Sequence, residues 1–432
     1  MYPNLYYVFK DFFGVEIGLL RFVNSFGFFV AIAFLVAAWL LSKELRRKSE
    51  QGLFKPTERK IVVGGPATTG ELVINFLLGF LFGFKILALF FIGANAVQDP
   101  QAYIFSGRGL VWLGLLTGGV FIWMKWRERK KQQLKSPEER IVRIWPHDRV
   151  GEVTVIALIV GLLGAKLFDI FENWDDFLQH PSDYILSGGG LTFYGGLICA
   201  TIAIIIYAKQ SKFSVRHLAD AIAPSLMIAY AVGRIGCQVA GDGDWGVYNS
   251  AYKVNGENKI ALAVSNDFAD TVRARSTYFL QHYSALDSVP HQAFAKPSAL
   301  SFLPNWLFAY QYPHNVNKTG VAIAGCNDHY CSQLPVPVFP APFYETLMCT
   351  ALFGMLWAIR KRITIAGSLF CLYLILNGAE RFLIEKIRVN NRMNFFGLHP
   401  TQAEVISFGL ILMGVLLWLL LWQQNRSRRP VV

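Results

Sequence analysis

Long apolar runs alternate with short polar segments along the whole chain. A membrane-spanning helix needs about 20 consecutive, mostly apolar residues, and runs of that length predict nine spans. The spans lie near residues 16–41, 71–95, 109–125, 153–172, 190–208, 219–240, 342–360, 366–385 and 403–422. The polar stretch from about 241 to 341 leaves room for one domain outside the membrane. The pattern predicts an all-α integral membrane protein with about nine transmembrane helices and a small irregular head.

The composition agrees with this pattern and excludes several other classes of protein. Hydrophobic residues make up 53% of the 432 positions and charged residues only 16%, whereas a soluble globular protein carries about 25% charged residues. Cytosolic enzymes, disordered chains, coiled coils and small disulfide-rich proteins do not tolerate repeated uncharged runs of membrane-spanning length. The first run contains Arg21 and Asn24 and follows no basic segment, so we interpret it as a retained span rather than a signal peptide.

The net charge of +12 is concentrated in loops between the apolar runs. Alternate loops hold 25 of the 41 Lys and Arg residues, at 42–70, 125–149, 208–217, 360–365 and 423–432. Because positively charged loops face the cytoplasm, the N-terminus is expected outside, the C-terminus inside and the long polar stretch outside. Orientation in a bilayer explains the basic balance without a nucleic-acid partner.

The six cysteines fall into two groups. Cys326 and Cys331 bracket His329 in the outer stretch. Two thiols five residues apart outside the cytoplasm can form a disulfide, whereas a zinc site would need further ligands at recognisable spacing. The sequence does not decide whether Cys326 and Cys331 are bridged or free. The other cysteines lie in or beside predicted spans and are interpreted as small buried hydrophobic residues, namely Cys199, Cys237, Cys349 and Cys371.

Ionisable residues inside spans are costly and usually face a cavity or a partner, so candidate chemistry is sought there. In the eighth span, polar residues recur at intervals of four, four and three, which places them on one helix face: Asn377, Arg381, Glu385 and Arg388. One interpretation is an ion pair at a helix end, with both arginines reaching to the membrane interface. The functional interpretation is a cationic clamp for an anionic lipid headgroup.

Two glycine-rich segments are further candidates. Residues 233–246 contain five glycines, Arg234 and the carboxylates Asp242 and Asp244, which could bring backbone and both charges close to a phosphate. The same acidic residues could also form a tight turn, and the spacing of an EF-hand calcium loop is absent. Residues 188–196, which include Tyr194 and Gly195, open the fifth span, where glycine repeats usually serve close helix packing.

Taken in order, five segments resemble the bacterial prolipoprotein diacylglyceryl transferases. The segments are GGLTFYGGL at 189–197, GRIGCQVAGDGDWG at 233–246, FYE at 343–345, RFLIEKIR at 381–388 and HPTQ at 399–402. The resemblance implies a family core of seven spans with two additions. It divides the chain into a first core span (1–41), an added two-span hairpin with basic cytoplasmic flanks (42–149), core spans (150–246), a periplasmic head insert (247–340) and the last three core spans (341–432).

The resemblance also implies a reaction and its partners. The diacylglyceryl group of phosphatidylglycerol would pass to the lipobox cysteine thiol of a prolipoprotein signal peptide, forming a thioether and releasing glycerol phosphate. The nucleophile belongs to the substrate, so no enzyme cysteine, metal or cofactor is required. The expected location is the bacterial inner membrane, in contact with membrane lipids, with the active site toward the periplasmic leaflet.

Site residues follow from the resemblance position by position. The catalytic set is Arg234, Asp242, Arg381, Tyr194 and Glu385. The set that binds phosphatidylglycerol is Arg234, Arg381, Arg388, Asn377, Gly195 and Gly246. This sequence departs from the family where Tyr194 replaces a common His, Cys237 replaces a usual Asn, and Phe26 precedes Gly27 in place of Tyr.

The acidic turn, residues 241–244, is one residue longer than the usual family form, so Asp242 or Asp244 could take the place of a glutamate. If the position of the family glutamate is counted forward from Arg234, it falls on Asp242. If it is counted back from Trp245, it falls on Gly243. If the sixth helix continues to residue 242, Asp242 shares a face with Arg234. The sequence leaves two other functions as alternatives: a transporter of an anionic solute, which predicts an inverted repeat, and a membrane alcohol phosphotransferase, which needs several spaced aspartates.

Overall fold

A computed structural model describes residues 1–92, 103, 107–181, 185, 192–255, 259–264, 266–389, 393 and 399–427. The α-helices are α1 Leu5–Phe13, α2 Ser25–Glu50, α3 Thr69–Leu81, α4 Leu89–Ile92, α5 Val111–Gln132, α6 Val150–Glu172, α7 Trp174–Gln179, α8 Phe193–Gln210, α9 Val215–Ala240, α10 Asp267–Ala274, α11 Ser276–His282, α12 Ala341–Ile359, α13 Ser368–Glu385 and α14 Gln402–Ser427. The strands are β1 Thr57–Val63, β2 Glu138–Ile144, β3 Tyr248–Asn249, β4 Tyr252–Val254, β5 Ile260–Leu262, β6 His291–Gln292, β7 Val321–Ala322 and β8 Ser332–Gln333.

Within this described part of the chain, seven helices are long and apolar enough to cross a membrane. They are Ser25–Glu50, Thr69–Leu87, Pro146–Glu172, Phe193–Gln210, Val215–Ala240, Ala341–Ile359 and Gln402–Ser427. The other two predicted spans fall on α5 and α13, which are helical but more highly charged. The helical membrane class is therefore confirmed, while the count of nine spans stays a prediction.

The chain separates into two compact units, and the first comprises residues 17–22 and 42–218. In it α3 and the π-helical turn Phe82–Leu87 run beside α5, where the Thr117 hydroxyl donates to the Gly79 carbonyl at 2.7 Å. At the base of this hairpin β1 pairs antiparallel with β2, from Thr57 opposite Ile144 to Val63 opposite Glu138. The two-stranded ribbon therefore pairs the segment before α3 with the segment after α5.

Helices α6 and α8 of this unit pack through glycines. A Cβ atom at Gly195 would lie 2.7 Å from the Gly164 carbonyl oxygen, and one at Gly196 would lie 2.8 Å from the Gly161 carbonyl oxygen. Only glycine permits this approach, as the helix-packing interpretation of the segment expects. The preceding residues of the motif, 188–191, lie outside the described residues.

The second unit comprises residues 1–16, 23–41 and 219–432. Its helical core lies between α9, α12 and α13 and contains Met227, Ala231, Cys349, Leu356 and Leu369. The Asp220 carboxylate, near the start of α9, accepts the backbone N–H groups of Gly367 at 2.8 Å and Phe370 at 3.1 Å. Because these amides lack partners within α13, Asp220 fixes the start of the helix that carries Arg381.

Residues 247–340, in the same unit, form short strand pairs and short helices around a core of their own. That core consists of Tyr248, Val272, Phe279, Val289, Tyr312, Leu334, Val336 and Val338. Strand β3 pairs in parallel with β6 and bridges to Val338 on its other side. Cys326 and Cys331 are joined by a disulfide, which decides between the two states left open by the sequence. The periplasmic location of this segment stays a prediction.

Candidate active site

The site begins where α9 ends. The helix stops at Ala240, so the premise that it continues to residue 242 is wrong. Gly241 has φ +66° and Gly243 has φ +98°, a left-handed backbone region that glycine enters without steric cost. The acidic turn therefore reverses the chain, and its two carboxylates do not follow the helical repeat.

The reversal brings Asp244 back to the arginines. Its carboxylate forms ion pairs with Arg234 on α9 and with Arg388, the latter at 2.7 Å. Burial raises the pKa of Asp244, but the two guanidinium groups outweigh burial and hold its pKa below the ordinary value. With 37% of its side chain exposed, Asp244 is more accessible than the arginines it pairs with.

The second carboxylate of the turn lies in a different electrostatic setting. Asp242 Oδ1 accepts the backbone N–H of Asp244 at 3.3 Å. Burial raises the pKa of Asp242, and the nearby charge of Asp244 raises it further. The arginines favour the ionised form of Asp244, whereas Asp242 binds a proton more readily because its pKa is raised.

Glu345 on α12 is the point at which three arginines meet. Its fully buried carboxylate contacts Arg234 Nε and lies 3.7 Å from Arg381 Nη1 and 3.4 Å from Arg388 Nη1. The Tyr230 hydroxyl donates to it at 3.1 Å. Sequence reasoning recognised the FYE motif but gave Glu345 no role. A carboxylate inside an apolar span was the signal that could have identified it.

Arg381 and Glu385 of the polar face predicted on the eighth span lie in this cluster. The prediction that Arg388 shares their helix face is wrong, because α13 ends at Glu385 and the chain turns before Arg388. Arg381 pairs with the buried carboxylate of Glu385 at 3.2 Å, as the spacing of four residues predicts, and Asn377 lies one turn earlier, half-buried. The side chains of Arg381 and Arg388 are only 21% and 12% exposed. Burial beside Glu345 argues against arginines that reach to the membrane interface.

Gly246 holds Arg388 in place through the backbone. The two residues form an isolated β-bridge, and the Val247 N–H donates to the Ile387 carbonyl at 2.7 Å. A Cβ atom at Gly246 would lie 2.6 Å from that same carbonyl oxygen. Any other residue at this position would force the segment carrying Arg388 away from Asp244 and Glu345.

Tyr194 and Gly195 lie on α8, in the unit that contains residues 42–218. Gly195 is packed against α6, and the half-buried Tyr194 ring lies edge-on to Phe193. The roles that the family resemblance assigns to these two residues stay predictions.

The arrangement is suited to an anionic ligand. Three guanidinium groups supply planar pairs of donors that match phosphate oxygens, and a phosphate can replace the accessible Asp244 carboxylate as their partner. Cys237 Sγ and carboxylate oxygens of Asp242 and Asp244 lie within 4.8 Å of one another. Of these groups, Asp244 already has Arg234 and Arg388 as its charged partners.

The family resemblance implies that the attacking thiol belongs to the substrate, so replacement of the four free cysteines and of the bridged pair by Ser is expected to leave transfer activity intact. Loss of the Cys326–Cys331 bridge is expected to lower stability by about 2 kcal/mol or less, because the loop it closes is short. Activity and thermal unfolding of the variants measure the two effects. A covalent lipid adduct on Cys237 would contradict the first expectation.

Glu345→Gln is expected to lower the free energy of unfolding by about 3 to 5 kcal/mol, because it leaves three arginines without their shared buried counter-charge. Thermal unfolding in detergent measures the loss. Glu404→Gln is a matched control, since Glu404 pairs with Lys386, whose side chain is 56% exposed. The control is expected to change stability by about 1 kcal/mol or less. Equal shifts in both variants would contradict the assigned role of Glu345.

Comparison with known proteins agrees with the ordered motifs. A family model described as prolipoprotein diacylglyceryl transferase matches residues 109–420. A protein of Dehalococcoides mccartyi named phosphatidylglycerol--prolipoprotein diacylglyceryl transferase is 24% identical over 334 residues, covering 76% of this chain and 95% of the relative. A Bacillus cereus protein of the same name is 25% identical over 328 residues, covering 75% and 93%. Because the family match spans well over half of the sequence, the chain belongs to the prolipoprotein diacylglyceryl transferase family.

Proposed function

We propose that this protein transfers the diacylglyceryl group of phosphatidylglycerol to the lipobox cysteine thiol of prolipoprotein signal peptides. The observation that carries the proposal is the convergence of Arg234, Arg381 and Arg388 on the buried Glu345, beside an acidic turn. Such a cluster provides tight binding for a phosphate and a proton acceptor within the same site. The names of the relatives point to the same two substrates.

The chemistry requires a leaving group and a base. The thiol sulfur attacks the glyceryl carbon that bears the phosphate, a C–S bond forms, and the C–O bond to phosphate breaks with its electron pair going to the phosphate oxygen. The leaving glycerol phosphate gains negative charge as it departs. Guanidinium groups that bind this charge more tightly in the transition state than in the ground state lower the barrier.

The proton of the attacking thiol needs an acceptor, because a free thiol has a pKa near 8.5 and is mostly protonated at neutral pH. Asp242 takes this role in the proposal, since burial raises its pKa and thereby its affinity for a proton. Asp244 and Glu345 orient the arginines, and Glu385 orients Arg381.

We also propose in which membrane the protein lies and how it is oriented there. The protein lies in the bacterial inner membrane with its basic loops in the cytoplasm, and it acts in the periplasmic leaflet. Residues 42–149 are a hairpin added to the family core, and residues 247–340 are a periplasmic insert. The ribbon of β1 and β2 and the separate core of residues 247–340 support this division.

The decisive experiment incubates the purified full chain with labelled phosphatidylglycerol and a lipobox peptide. We expect label in the peptide as a thioether, with release of glycerol phosphate. A peptide in which Ser replaces the lipobox cysteine serves as the control and is expected to remain unlabelled. A protein that moved anionic lipid or solute across vesicles without labelling the peptide would favour a transporter instead.

A further inference from the structure

Tyr312, in the segment of residues 247–340, has a backbone conformation that is unusual for a buried residue other than glycine. Its side chain is fully buried, and its φ of +49° lies in the left-handed region, as does that of His314 at +59°. A residue other than glycine in this region costs about 1 to 3 kcal/mol and persists only where the surrounding structure enforces it. Strain of this kind often marks a functional site, so the contacts of Tyr312 are informative.

Tyr312 contacts the chain on both sides of the acidic turn. Its hydroxyl donates to Gln238 Oε1 at 2.7 Å, and Gln238 lies one helical turn after Arg234 on α9. Its ring packs against Trp245, the residue that follows Asp244, with ring centroids 5.1 Å apart. Burial raises the pKa of Tyr312, so its hydroxyl keeps its proton and remains a donor.

The loop that carries Tyr312 is held by internal hydrogen bonds and contacts the acidic turn at further positions. The fully buried Asn315 side chain donates to the carbonyls of Tyr312 at 3.1 Å and Thr319 at 2.9 Å. Beyond it, the Val316 N–H donates to the Ala240 carbonyl at 3.0 Å. Asn317 Nδ2 donates to the Asp242 carbonyl at 2.7 Å, within the turn itself.

From these contacts we infer that Tyr312 is a positioning residue for the transfer reaction. It holds the acidic turn between Gln238 and Trp245, so that Asp244 meets Arg234 and Arg388 while Asp242 lies beside Cys237. The turn contains two glycines in left-handed conformations, so its own sequence does not keep it in one shape. This inference rests on the proposed function, because it assigns Tyr312 a role in that reaction.

Tyr312→Phe tests the inference, because it keeps the buried ring and removes only the donor to Gln238. We expect kcat for transfer to fall about tenfold to a hundredfold, as small displacements of catalytic groups do. KM for phosphatidylglycerol should stay within about twofold, since the arginines that bind phosphate are untouched. The matched control is Tyr252→Phe, which removes the buried hydroxyl that accepts the Lys296 N–H at 3.0 Å, in a different core cluster of the same segment. The control should keep wild-type kcat.

A second measurement follows the conformation of the acidic turn independently of enzymatic activity. Hydrogen–deuterium exchange in peptides that cover residues 236–246 should be faster in Tyr312→Phe than in wild type and unchanged in Tyr252→Phe. Wild-type exchange and wild-type kcat in Tyr312→Phe would each overturn the inference. A wild-type protein that transfers no diacylglyceryl group overturns the proposed function and with it the catalytic role of Tyr312.

A double-mutant cycle separates positioning from general stability. Gln238→Leu should lower kcat about as much as Tyr312→Phe, and the double variant should lose little more than either, because both remove one shared contact. Losses that multiply in the double variant would mean that the two residues act independently, and would overturn the inference.

Discussion

Arg234→Lys is expected to lower the rate of transfer about a hundredfold to a thousandfold, the effect typical of removing one donor to a developing charge, while the protein still inserts. The Arg234 guanidinium contacts Asp244 through Nη1 and Glu345 through Nε, so it joins the acidic turn to α12. An ammonium group is a compact point charge and cannot make both contacts and a bidentate phosphate contact. Initial rates at equal membrane levels measure the loss.

Two further variants test whether the loss of transfer rate depends on the three arginines that contact Glu345. Arg381→Ala is expected to behave similarly, because Arg381 contacts Glu345 and Glu385. Arg143→Lys is the matched control: Arg143 pairs with Glu58 on the β1–β2 ribbon, and its side chain is 71% exposed. Wild-type turnover in Arg234→Lys would remove Arg234 from the site. Loss of activity only through failure to accumulate in the membrane would mean that its role is structural.

Asp242→Asn is expected to slow transfer about a hundredfold or more at neutral pH, the effect typical of losing a general base. A base acts in its ionised form, so the wild-type rate should rise with pH through the pKa of Asp242, which burial places above that of an ordinary aspartate. The asparagine variant should lose this rise. Rates of transfer measured from acidic to neutral pH provide the profile.

Asp244→Asn provides the contrast within the same turn. We expect it to impair transfer far less than Asp242→Asn, and to move the rise in rate to lower pH. The reason for the shift is that the charge of Asp244 helps to raise the pKa of Asp242, so neutralising Asp244 lets Asp242 ionise earlier. The reverse order of activities would transfer the role of base to Asp244.

Much of the candidate site could be predicted from local patterns. Arg234 and Arg381 stand out because charges inside apolar runs are costly, and the four-residue spacing from Arg381 to Glu385 predicts the ion pair that the structure contains. The choice between the two turn carboxylates could not be predicted in this way. Its geometric premise, a helix continuing to residue 242, is wrong because Gly241 ends α9 in a left-handed conformation.

The sequence by itself determined that this is a helical membrane protein, to which family it belongs and which spans carry its arginines, because hydrophobic run length, charge placement and motif order are local properties of the chain. Only the tertiary structure decided that Glu345 is the common partner of three arginines, that Asp244 folds back onto Arg234, and that Tyr312 supports the turn between them. These contacts join segments far apart in the chain. Packing brings them together, and no local periodicity encodes which residues will meet.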